Sequence, residues 1–347
     1  MPIEPWGVLE DGTPAHLFTL ANGRGLKMVV SDYGATITRL EHNGTDVVLG
    51  FNDLSDYHSC NAYFGCAIGR YGNRIGGGRF SLNGKSYQLA TNNEPGGTPC
   101  HLHGGVSGFD RKVWFATLLG EGTPSAILFE RVSPHGEEGY PGNLRIRMLY
   151  QLTASNALRI EYWATTDADT VLSLTNHTYF NLNGDPSAKG GKGILDHALR
   201  INSRYITPTD AGMIPTGELM AVEGTPFDFS RPTTIGSRID EQNEQLTWAG
   251  GYDHNFVLTS SSYAASLSTE VRKVEVWTSE PGIQVYTGNF LDGSYKGKQG
   301  GKYEKRSGIC LETQHFPDSP NKPMFPTTVL RAGKKFRSAT EYRFRMV

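Results

Sequence analysis

The chain has 347 residues, of which 37% are hydrophobic and 20% charged, and its formal net charge is −2. A chain of this kind buries a sizeable core, and without a basic excess we expect no binding to nucleic acid or to an anionic membrane surface. No apolar run reaches the roughly 20 residues that cross a bilayer. The first residues carry an early acid and no apolar segment, so we predict no signal peptide.

Asn43-Gly44 separates the strand candidates ATITRL and DVVLGF, and Asn83-Gly84 separates GRFSL and KSYQLA. Asn-Gly supplies the left-handed positions of tight hairpin turns. The clearest alternation of apolar and polar residues runs from Leu144 to Leu152 and resumes from Leu158 to Tyr162. That pattern predicts a hairpin with one dry face. Further strand candidates are LKMVVSDY, VWFATLL, SAILFERV, KVEVWTS, IQVYTGNF, GICLETQ, TVLRA and TEYRFRMV.

Helical periodicity is scarce, and the best helical candidate covers Ser237 to Trp248. Strands recur without a long linker, a shift in composition or a repeat of fixed period. We therefore predict an all-β fold, a large antiparallel β-sandwich with few short helices, formed by a single domain over residues 1–347. A division into two β-rich domains is the alternative.

The four cysteines, Cys60, Cys66, Cys100 and Cys310, are scattered and form no CxxC pair. This spacing argues against a zinc knuckle, and a disulfide framework is not expected in so long a chain. Free thiols are typical of a reducing compartment, so we predict a cytoplasmic protein.

Two titratable residues stand out because they interrupt strand-like segments. His177 lies in the middle of 172–185, whose start is typical of a buried strand, among polar neighbours that can orient the ring and set its tautomer. Glu312 lies in GICLETQ, where a carboxylate is expected only if it is paired or functional. The ordinary interpretations are a strand histidine bonded to backbone and a core ion pair with an arginine.

Two glycine-rich stretches also carry polar groups. In 69–78, two arginines flank a turn, and the plain interpretation is a surface turn with solvated arginines. His101 and His103 are two residues apart and would face one side of a strand, but no further ligand lies nearby in the sequence, so we predict no metal site. Asp253 at a strand start and Gln284 inside a strand carry little weight alone.

These residue types together are typical of a carbohydrate site. Planar amides and carboxylates bind sugar hydroxyls, and aromatic rings stack on the apolar sugar face. A lectin, a glycosidase with two carboxylates and an enzyme that uses one carboxylate and one imidazole are all open at this point. One strand glutamate and several histidines favour the last.

Six motifs in order closely resemble those of the galactose mutarotase, or aldose 1-epimerase, family: GRYGNRI, LHGGVSGFDRKVW, TNHTYFNLNG, GYDHNF, GIQVYTGNFLDG and CLETQHFPDSPN. SDYGATI, EEGYPGN and the final strand after LRAGKKF also fit, so the resemblance covers nearly the whole chain. It implies a large antiparallel β-sandwich with an open sugar cleft. It also implies an isomerase that interconverts the α and β anomers of free aldohexoses such as galactose and glucose, without cofactor or metal.

Carried over by motif, the resemblance implies that Glu312 is the general base, His177 the general acid and His103 an assisting group near the ring oxygen. The residues that would hold sugar hydroxyls are Asn73, Arg74, His103, Tyr179, Asp253 and Gln284. The expected partner is a small sugar, bound by a monomer or weak homodimer. Three rivals stay open: an epimerase of hexose 6-phosphates, which needs basic residues at the phosphate, a sugar-binding regulator without turnover, and a glycosidase with Asp253 as its second carboxylate.

Overall fold

The computed structural model describes residues 2–120, 122, 124–259 and 262–347. Within them the first ten strands are β1 (Ile3–Val8), β2 (Pro14–Ala21), β3 (Leu26–Ser31), β4 (Ile37–His42), β5 (Thr45–Asp46), β6 (Ala67–Ile68), β7 (Arg74–Gly76), β8 (Arg79–Leu82), β9 (Lys85–Gln88) and β10 (Cys100–Leu102). The next ten are β11 (Phe115–Leu119), β12 (Ala126–Ser133), β13 (Leu144–Leu152), β14 (Ala157–Thr166), β15 (Thr170–Val171), β16 (Thr175–Asn176), β17 (Tyr179–Phe180), β18 (Ala198–Ile201), β19 (Ser203–Ile206) and β20 (Met220–Ala221). The last eight are β21 (Thr233–Thr234), β22 (Asp253–Leu258), β23 (Tyr263–Ser268), β24 (Arg272–Thr278), β25 (Gly282–Tyr286), β26 (Ile309–Gln314), β27 (Val329–Leu330) and β28 (Lys335–Met346).

Three large sheets organise these strands. The nine-stranded sheet has the order β11-β12-β13-β14-β28-β24-β23-β18-β21, and the six-stranded sheet has the order β17-β26-β25-β22-β19-β20. A five-stranded sheet, β1-β2-β3-β4-β5, precedes them in the chain. The pairs within the two larger sheets are antiparallel. The predicted all-β sandwich is therefore confirmed.

The predicted hairpin is confirmed in register as well as in kind. β13 and β14 pair antiparallel, with Leu152 opposite Leu158 at the turn. Along β13 every second residue from Leu144 to Leu152 is apolar and buried, while Arg145 and Arg147 are exposed. The hydrophobic side of this hairpin faces the core, as a half-buried antiparallel sheet requires.

One hydrophobic cluster joins the sheets, since it contains buried residues of the nine-stranded, six-stranded and five-stranded sheets, for example Phe129, Leu311 and Met28. The Tyr342 hydroxyl on β28 donates to the Leu311 carbonyl oxygen on β26 at 2.9 Å. A shared core supports the prediction of a single domain over residues 1–347, which stays a prediction.

The two α-helices are short: α1 covers Leu54–Ser59 and α2 covers Glu244–Ala249. The helix predicted from Ser237 to Trp248 begins later in the structure, at Glu244. Asn243 is the N-cap of α2, since its side chain accepts a hydrogen bond from the Gln245 N–H. Helix α1 was not predicted. No helix among the described residues is both long and apolar enough to cross a membrane.

Candidate active site

Glu312 lies on the face of β26 that points away from the nine-stranded sheet. The Thr313 hydroxyl contacts the Thr340 hydroxyl of β28 at 2.6 Å, which fixes the core-facing side of the strand. Because side chains alternate along a strand, Cys310, Glu312 and Gln314 point the other way. All three are nonetheless buried, so connecting segments must cover this face.

The register of the six-stranded sheet gathers polar residues beside Glu312. Glu312 pairs with Gln284 of β25, and Gln284 pairs with Asn255 of β22. Directly paired residues point to the same side of a sheet. The next row along contains Tyr179, Cys310, Tyr286 and Asp253.

His177 lies in the connection between two strands of different sheets. β16 pairs with β6, whereas β17 pairs with β26, and His177 and Thr178 belong to neither strand. The prediction of a continuous strand through His177 is therefore wrong, because the chain changes pairing partner at this point. Its backbone is still fixed: the His177 N–H donates to the Cys66 carbonyl, and the His177 carbonyl accepts from the Gly65 N–H.

The His177 ring is held between two side chains of β26. Its Nε2 atom is 3.7 Å from Glu312 Oε1, longer than a hydrogen bond. Its Nδ1 atom is 3.4 Å from Cys310 Sγ. The Tyr179 ring packs against the His177 ring at a centroid distance of 5.0 Å. The Tyr179 hydroxyl donates to the Ala62 carbonyl at 2.9 Å.

His103 reaches the same place from a loop with left-handed backbone. Three non-glycine residues that line the site, Tyr63, Asn73 and His103, have φ of 58°, 62° and 52°. Such conformations are uncommon for large side chains and concentrate at functional sites. The loop then turns at Gly104, where a Cβ atom would lie 1.9 Å from the Gly69 carbonyl oxygen, so only glycine allows this close approach.

The tautomer of His103 follows from its hydrogen bond. The Asn73 N–H donates to His103 Nδ1 at 3.1 Å, so the neutral ring carries its proton on Nε2. The ring packs edge-on against Tyr63 and against His177, with centroid distances of 4.7 and 5.1 Å. His103 is therefore a hydrogen-bond donor through Nε2.

A polar network fixes the opposite wall. Arg74 donates from Nε to Asn93 Oδ1 at 3.3 Å and lies 3.7 Å from Asp253 Oδ2. Gln284 donates to Asp253 Oδ1 at 2.7 Å. Burial raises the pKa of Asp253, and the Arg74 guanidinium opposes that rise.

An open cavity of about 380 Å³ lies between these groups, a size typical of small-molecule sites. Its lining comprises Asn61, Ala62, Tyr63, Asn73, Arg74, Asn93, Glu94, Pro95, Leu102, His103, His177, Tyr179, Asp253, Tyr286, Phe290, Leu291, Tyr295 and Glu312. Phe290 is 58% exposed, and its ring stacks on the Tyr286 ring at a centroid distance of 6.0 Å. The cavity thus combines an open aromatic face with several hydrogen-bonding groups.

Burial sets the protonation states of the reactive groups. It lowers the pKa of His177 to about 4 and the pKa of His103 well below its usual value. It raises the pKa of Glu312 well above its usual value, and the nearby Asp253 carboxylate adds to that rise. An imidazole with a lowered pKa and a carboxylate with a raised pKa are suited to exchanging a proton with a bound molecule.

Nitrogen and oxygen atoms of His103, His177 and Glu312 all lie within 4.8 Å of one another, a spacing that would admit a metal ion. The chemistry of His103 does not fit a metal. Its Nδ1 lone pair is engaged by the Asn73 N–H, so Nε2 carries a proton and offers no lone pair. These donor atoms favour proton transfer over metal binding. The absence of a metal site stays a prediction.

The structure brings most of the predicted site residues together. Glu312, His177, His103, Asn73, Arg74, Tyr179 and Asp253 line one cavity. Gln284 is not part of the wall but lies behind it, bonded to Asp253. Cys310 and the lining residues Tyr63, Asn93, Tyr286 and Phe290 were missed by the sequence analysis.

Two expectations from the sequence are wrong: the surface-turn interpretation of 69–78 for Arg70, and the expectation that His101 and His103 face one side. Arg70 is not a solvated surface arginine but is fully buried, and its guanidinium donates to the carbonyl oxygens of Ser133, Pro134 and Pro141. His101 turns away from the cavity, and its ring contacts the Tyr140 hydroxyl at 2.8 Å.

Comparison with known proteins gives a consistent result. The sequence model of the aldose 1-epimerase family matches residues 16–343. The chain is 42% identical to a galactose mutarotase of Bos taurus over 329 residues, which is 92% of this chain and 91% of the relative. It is 34% identical to an aldose 1-epimerase of Escherichia coli K12 over 348 residues, which is 96% of each chain. The structure of a galactose 1-epimerase from Lactobacillus acidophilus NCFM aligns with a TM-score of 0.87 at 27% identity, over 99% of this chain and 98% of that one.

Proposed function

The chain belongs to the aldose 1-epimerase family and interconverts sugar anomers, and from that premise we propose that Glu312 is its general base and His177 its general acid. The proposed substrates are free aldohexoses such as galactose and glucose. The observation that carries the proposal is the buried His177–Glu312 pair at the cavity wall, whose facing atoms are 3.7 Å apart. That gap leaves both groups able to bond a sugar rather than each other.

The pair holds one proton, and its reactive form carries that proton on His177. In the proposed reaction the Glu312 carboxylate takes the proton of the anomeric hydroxyl while the His177 imidazolium protonates the ring oxygen from Nε2. The bond between C1 and the ring oxygen breaks, and C1 becomes the aldehyde carbon. Rotation about the C1–C2 bond then presents the other face of the aldehyde. Both proton transfers reverse as the ring closes, which restores Glu312 and His177 and releases the other anomer.

The burial of the pair favours this proton transfer. An imidazolium and a carboxylate are both disfavoured away from water, which is why burial lowers the pKa of His177 and raises that of Glu312. When the sugar is opened, His177 has lost its proton and Glu312 has gained one, so both groups are neutral. The low-dielectric site therefore stabilises the charge distribution of the opened sugar.

The remaining wall residues have proposed roles that follow from their contacts. His103 donates from Nε2 near the ring oxygen, and Asn73, Arg74 and Asp253 bind hydroxyls. Gln284 acts by holding Asp253. Tyr179, whose hydroxyl is already bonded to backbone, packs against the His177 ring while keeping an oxygen lone pair for a sugar hydroxyl.

The charges of the cavity disfavour two rivals. Among the described residues of the lining, Arg74 is the single arginine or lysine, and it lies against Asp253. A phosphate would meet Glu94, Asp253 and Glu312 instead of a basic cluster. Asp253 is itself tied to Arg74 and Gln284, so it is poorly placed to serve as the free second carboxylate of a glycosidase.

Polarimetry of freshly dissolved α-D-galactose, in the presence of a chelator, tests the proposed substrate class. We expect the protein to accelerate the approach to the equilibrium rotation for galactose and glucose. Glucose 6-phosphate should react at least about 100-fold more slowly, because its phosphate dianion would lie against carboxylates. A preference for the phosphorylated sugar would overturn the assignment. Loss of activity on chelation would overturn the cofactor-free mechanism.

The pH dependence of kcat/KM should be bell-shaped, because the active pair holds one proton. Below the lower apparent pKa both groups are protonated and the base is lost. Above the upper one both are deprotonated and the acid is lost. The His177 pKa of about 4 places the acidic limb near that pH, and the raised pKa of Glu312 places the alkaline limb above the ordinary carboxyl range. Initial rates from about pH 3 to pH 10, corrected for the uncatalysed reaction, check this, and a flat profile would contradict it.

The cytoplasmic location, the monomeric or weakly dimeric state and the lack of nucleic-acid or membrane partners stay predictions. Analytical ultracentrifugation of the purified protein would decide the oligomeric state.

A further inference from the structure

Two tyrosine rings lie face-on against the His177 imidazole. The centroid distances to His177 are 5.7 Å for Tyr63 and 5.0 Å for Tyr179, with interplanar angles of 34° and 39°. Nearly parallel rings at such short separations overlap, since a side-by-side arrangement would bring their edges into collision. His177 itself is only 4% exposed. Two aromatic faces therefore take the place of water on this imidazole.

The backbone places the Tyr63 ring beside His177. The Tyr63 carbonyl accepts from the Cys66 N–H at 3.3 Å, and the Cys66 carbonyl accepts from the His177 N–H at 2.9 Å. Tyr63 has a left-handed backbone with φ of 58°, which is uncommon for a large side chain. Such a conformation persists only where the surrounding structure fixes it. The same run of hydrogen bonds thus holds both rings together.

The proposed reaction needs a charged imidazole in a place where burial disfavours it. Burial lowers the pKa of His177 to about 4 and raises that of Glu312, so the single proton of the pair rests mainly on Glu312. Only the fraction with the proton on His177 is reactive. The face of an aromatic ring carries negative partial charge and attracts a cation within about 6 Å of the centroid. This attraction acts on the imidazolium much more than on the neutral ring.

We propose that Tyr63 is a positioning residue whose ring face stabilises the imidazolium form of His177, and so raises the fraction of the protein that can protonate the sugar ring oxygen. The inference rests on the proposed role of His177 as the acid. It assigns the effect to the ring face and not to the Tyr63 hydroxyl. Tyr179 supplies the second face, but it is also proposed to bind a sugar hydroxyl, so Tyr63 is the residue to test.

Other groups around His177 also influence its charge. Those that face the ring or share its cavity are Glu312, Cys310, His103, Tyr286, Arg74 and Asp253. Glu312 Oε1, 3.7 Å from Nε2, attracts an imidazolium, and Cys310 Sγ, 3.4 Å from Nδ1, is a weak acceptor. All of these groups are still present in a Tyr63 variant. A change in the pKa of His177 there reports on the Tyr63 ring.

The pH profile of kcat/KM for galactose tests the proposal. Tyr63→Leu should move the acidic limb down by about 0.5 to 1 pH unit and lower the plateau by the matching factor of about 3 to 10. The alkaline limb should stay in place, because there the proton is lost from Glu312. Well below the acidic limb the reactive fraction depends on Glu312 alone, so the rates of variant and wild type should converge. Tyr63→Phe keeps the ring face and should follow the wild-type profile.

Tyr295→Leu is the matched control. Tyr295 also lines the cavity, but its ring packs against Phe51 and Phe64, so its loss should leave the acidic limb in place. Phenylalanines with increasing fluorination at position 63 extend the test if the leucine variant does not fold. They keep the shape of the ring while they weaken the negative charge of its face. The acidic limb should then move down stepwise.

Three results would overturn the proposal. The first is an acidic limb that stays in place in Tyr63→Leu or across the fluorinated series. The second is a shift in Tyr63→Phe as large as that in Tyr63→Leu, which would assign the effect to the hydroxyl. The third is a uniform loss of rate at every pH in Tyr63→Leu, which would indicate packing alone. Failure of the acid assignment is separate: His177→Asn would be fully active, while NMR titration would still show a lowered His177 pKa in Tyr63→Leu.

Discussion

Glu312→Gln is expected to lower kcat for anomer interconversion by about 10²- to 10⁴-fold, the usual contribution of a general base. The amide keeps the shape of the side chain and cannot accept the anomeric proton, so KM should change little. Initial polarimetric rates with galactose measure the effect. Full activity in a folded variant would remove Glu312 from the mechanism.

The same substitution should stabilise the fold, which separates a lost base from a damaged structure. Because burial raises the pKa of Glu312, the folded state binds more protons than the unfolded state as pH rises above the unfolded pKa of about 4.3. Wild-type stability is therefore lost as pH rises from there through the raised pKa. Glutamine does not titrate, so the variant should gain on the order of 0.5–2 kcal/mol at neutral pH and less near pH 4. Urea unfolding at the two pH values checks this.

Glu280→Gln is the matched control for that variant. Glu280 is also a buried glutamate, but it is paired with His315 at 2.7 Å and does not line the cavity. The substitution should lower stability, because it weakens a partly buried pair. It should leave kcat within about 2-fold of wild type. Glu280 lies in the turn between β24 and β25. A large loss of activity here would mean that removal of any buried carboxylate in this region, and not loss of the base, explains the Glu312 result.

His177→Asn is expected to lower kcat by a similar factor of about 10² to 10⁴, because the other donor near the ring oxygen, His103, is a neutral imidazole and therefore a much weaker acid. Its pH profile should lose the dependence that the acid contributes. The double variant with Glu312→Gln should be little slower than either single one, since the two residues act as a unit. Polarimetry measures the rates, and calorimetric titration with galactose shows whether the sugar is still bound.

An exposed histidine supplies the control for the acid. His135 lies outside the cavity lining, and His135→Asn should retain wild-type activity. Two results together would contradict a coupled pair: the fold losses in kcat of the two single variants multiply in the double variant, and each single variant keeps one limb of the bell-shaped pH profile. Substantial activity in His177→Asn would transfer the acid role to His103, whose Nε2–H is the remaining donor.

The sequence by itself determined those features that depend on neighbours in the chain. Alternation from Leu144 to Leu152 fixed a hairpin because side chains alternate along any strand. The order of the six motifs pointed to the family, and with it to Glu312, His177 and His103. A carboxylate in a strand such as GICLETQ was already a sign of function, because burial of a charge needs a reason.

Only the tertiary structure decided which distant residues meet. Alternation of apolar and polar residues indicates which face of a sheet a residue is on, but its neighbours on that face depend on strand pairing. Nothing local in the sequence specifies that Asn255, Gln284 and Glu312 form one row. The break at His177 arises because the chain changes sheets there. The contact between Cys310 and His177 follows from that crossing. Long-range packing places one of four cysteines that are scattered in the sequence against the His177 ring.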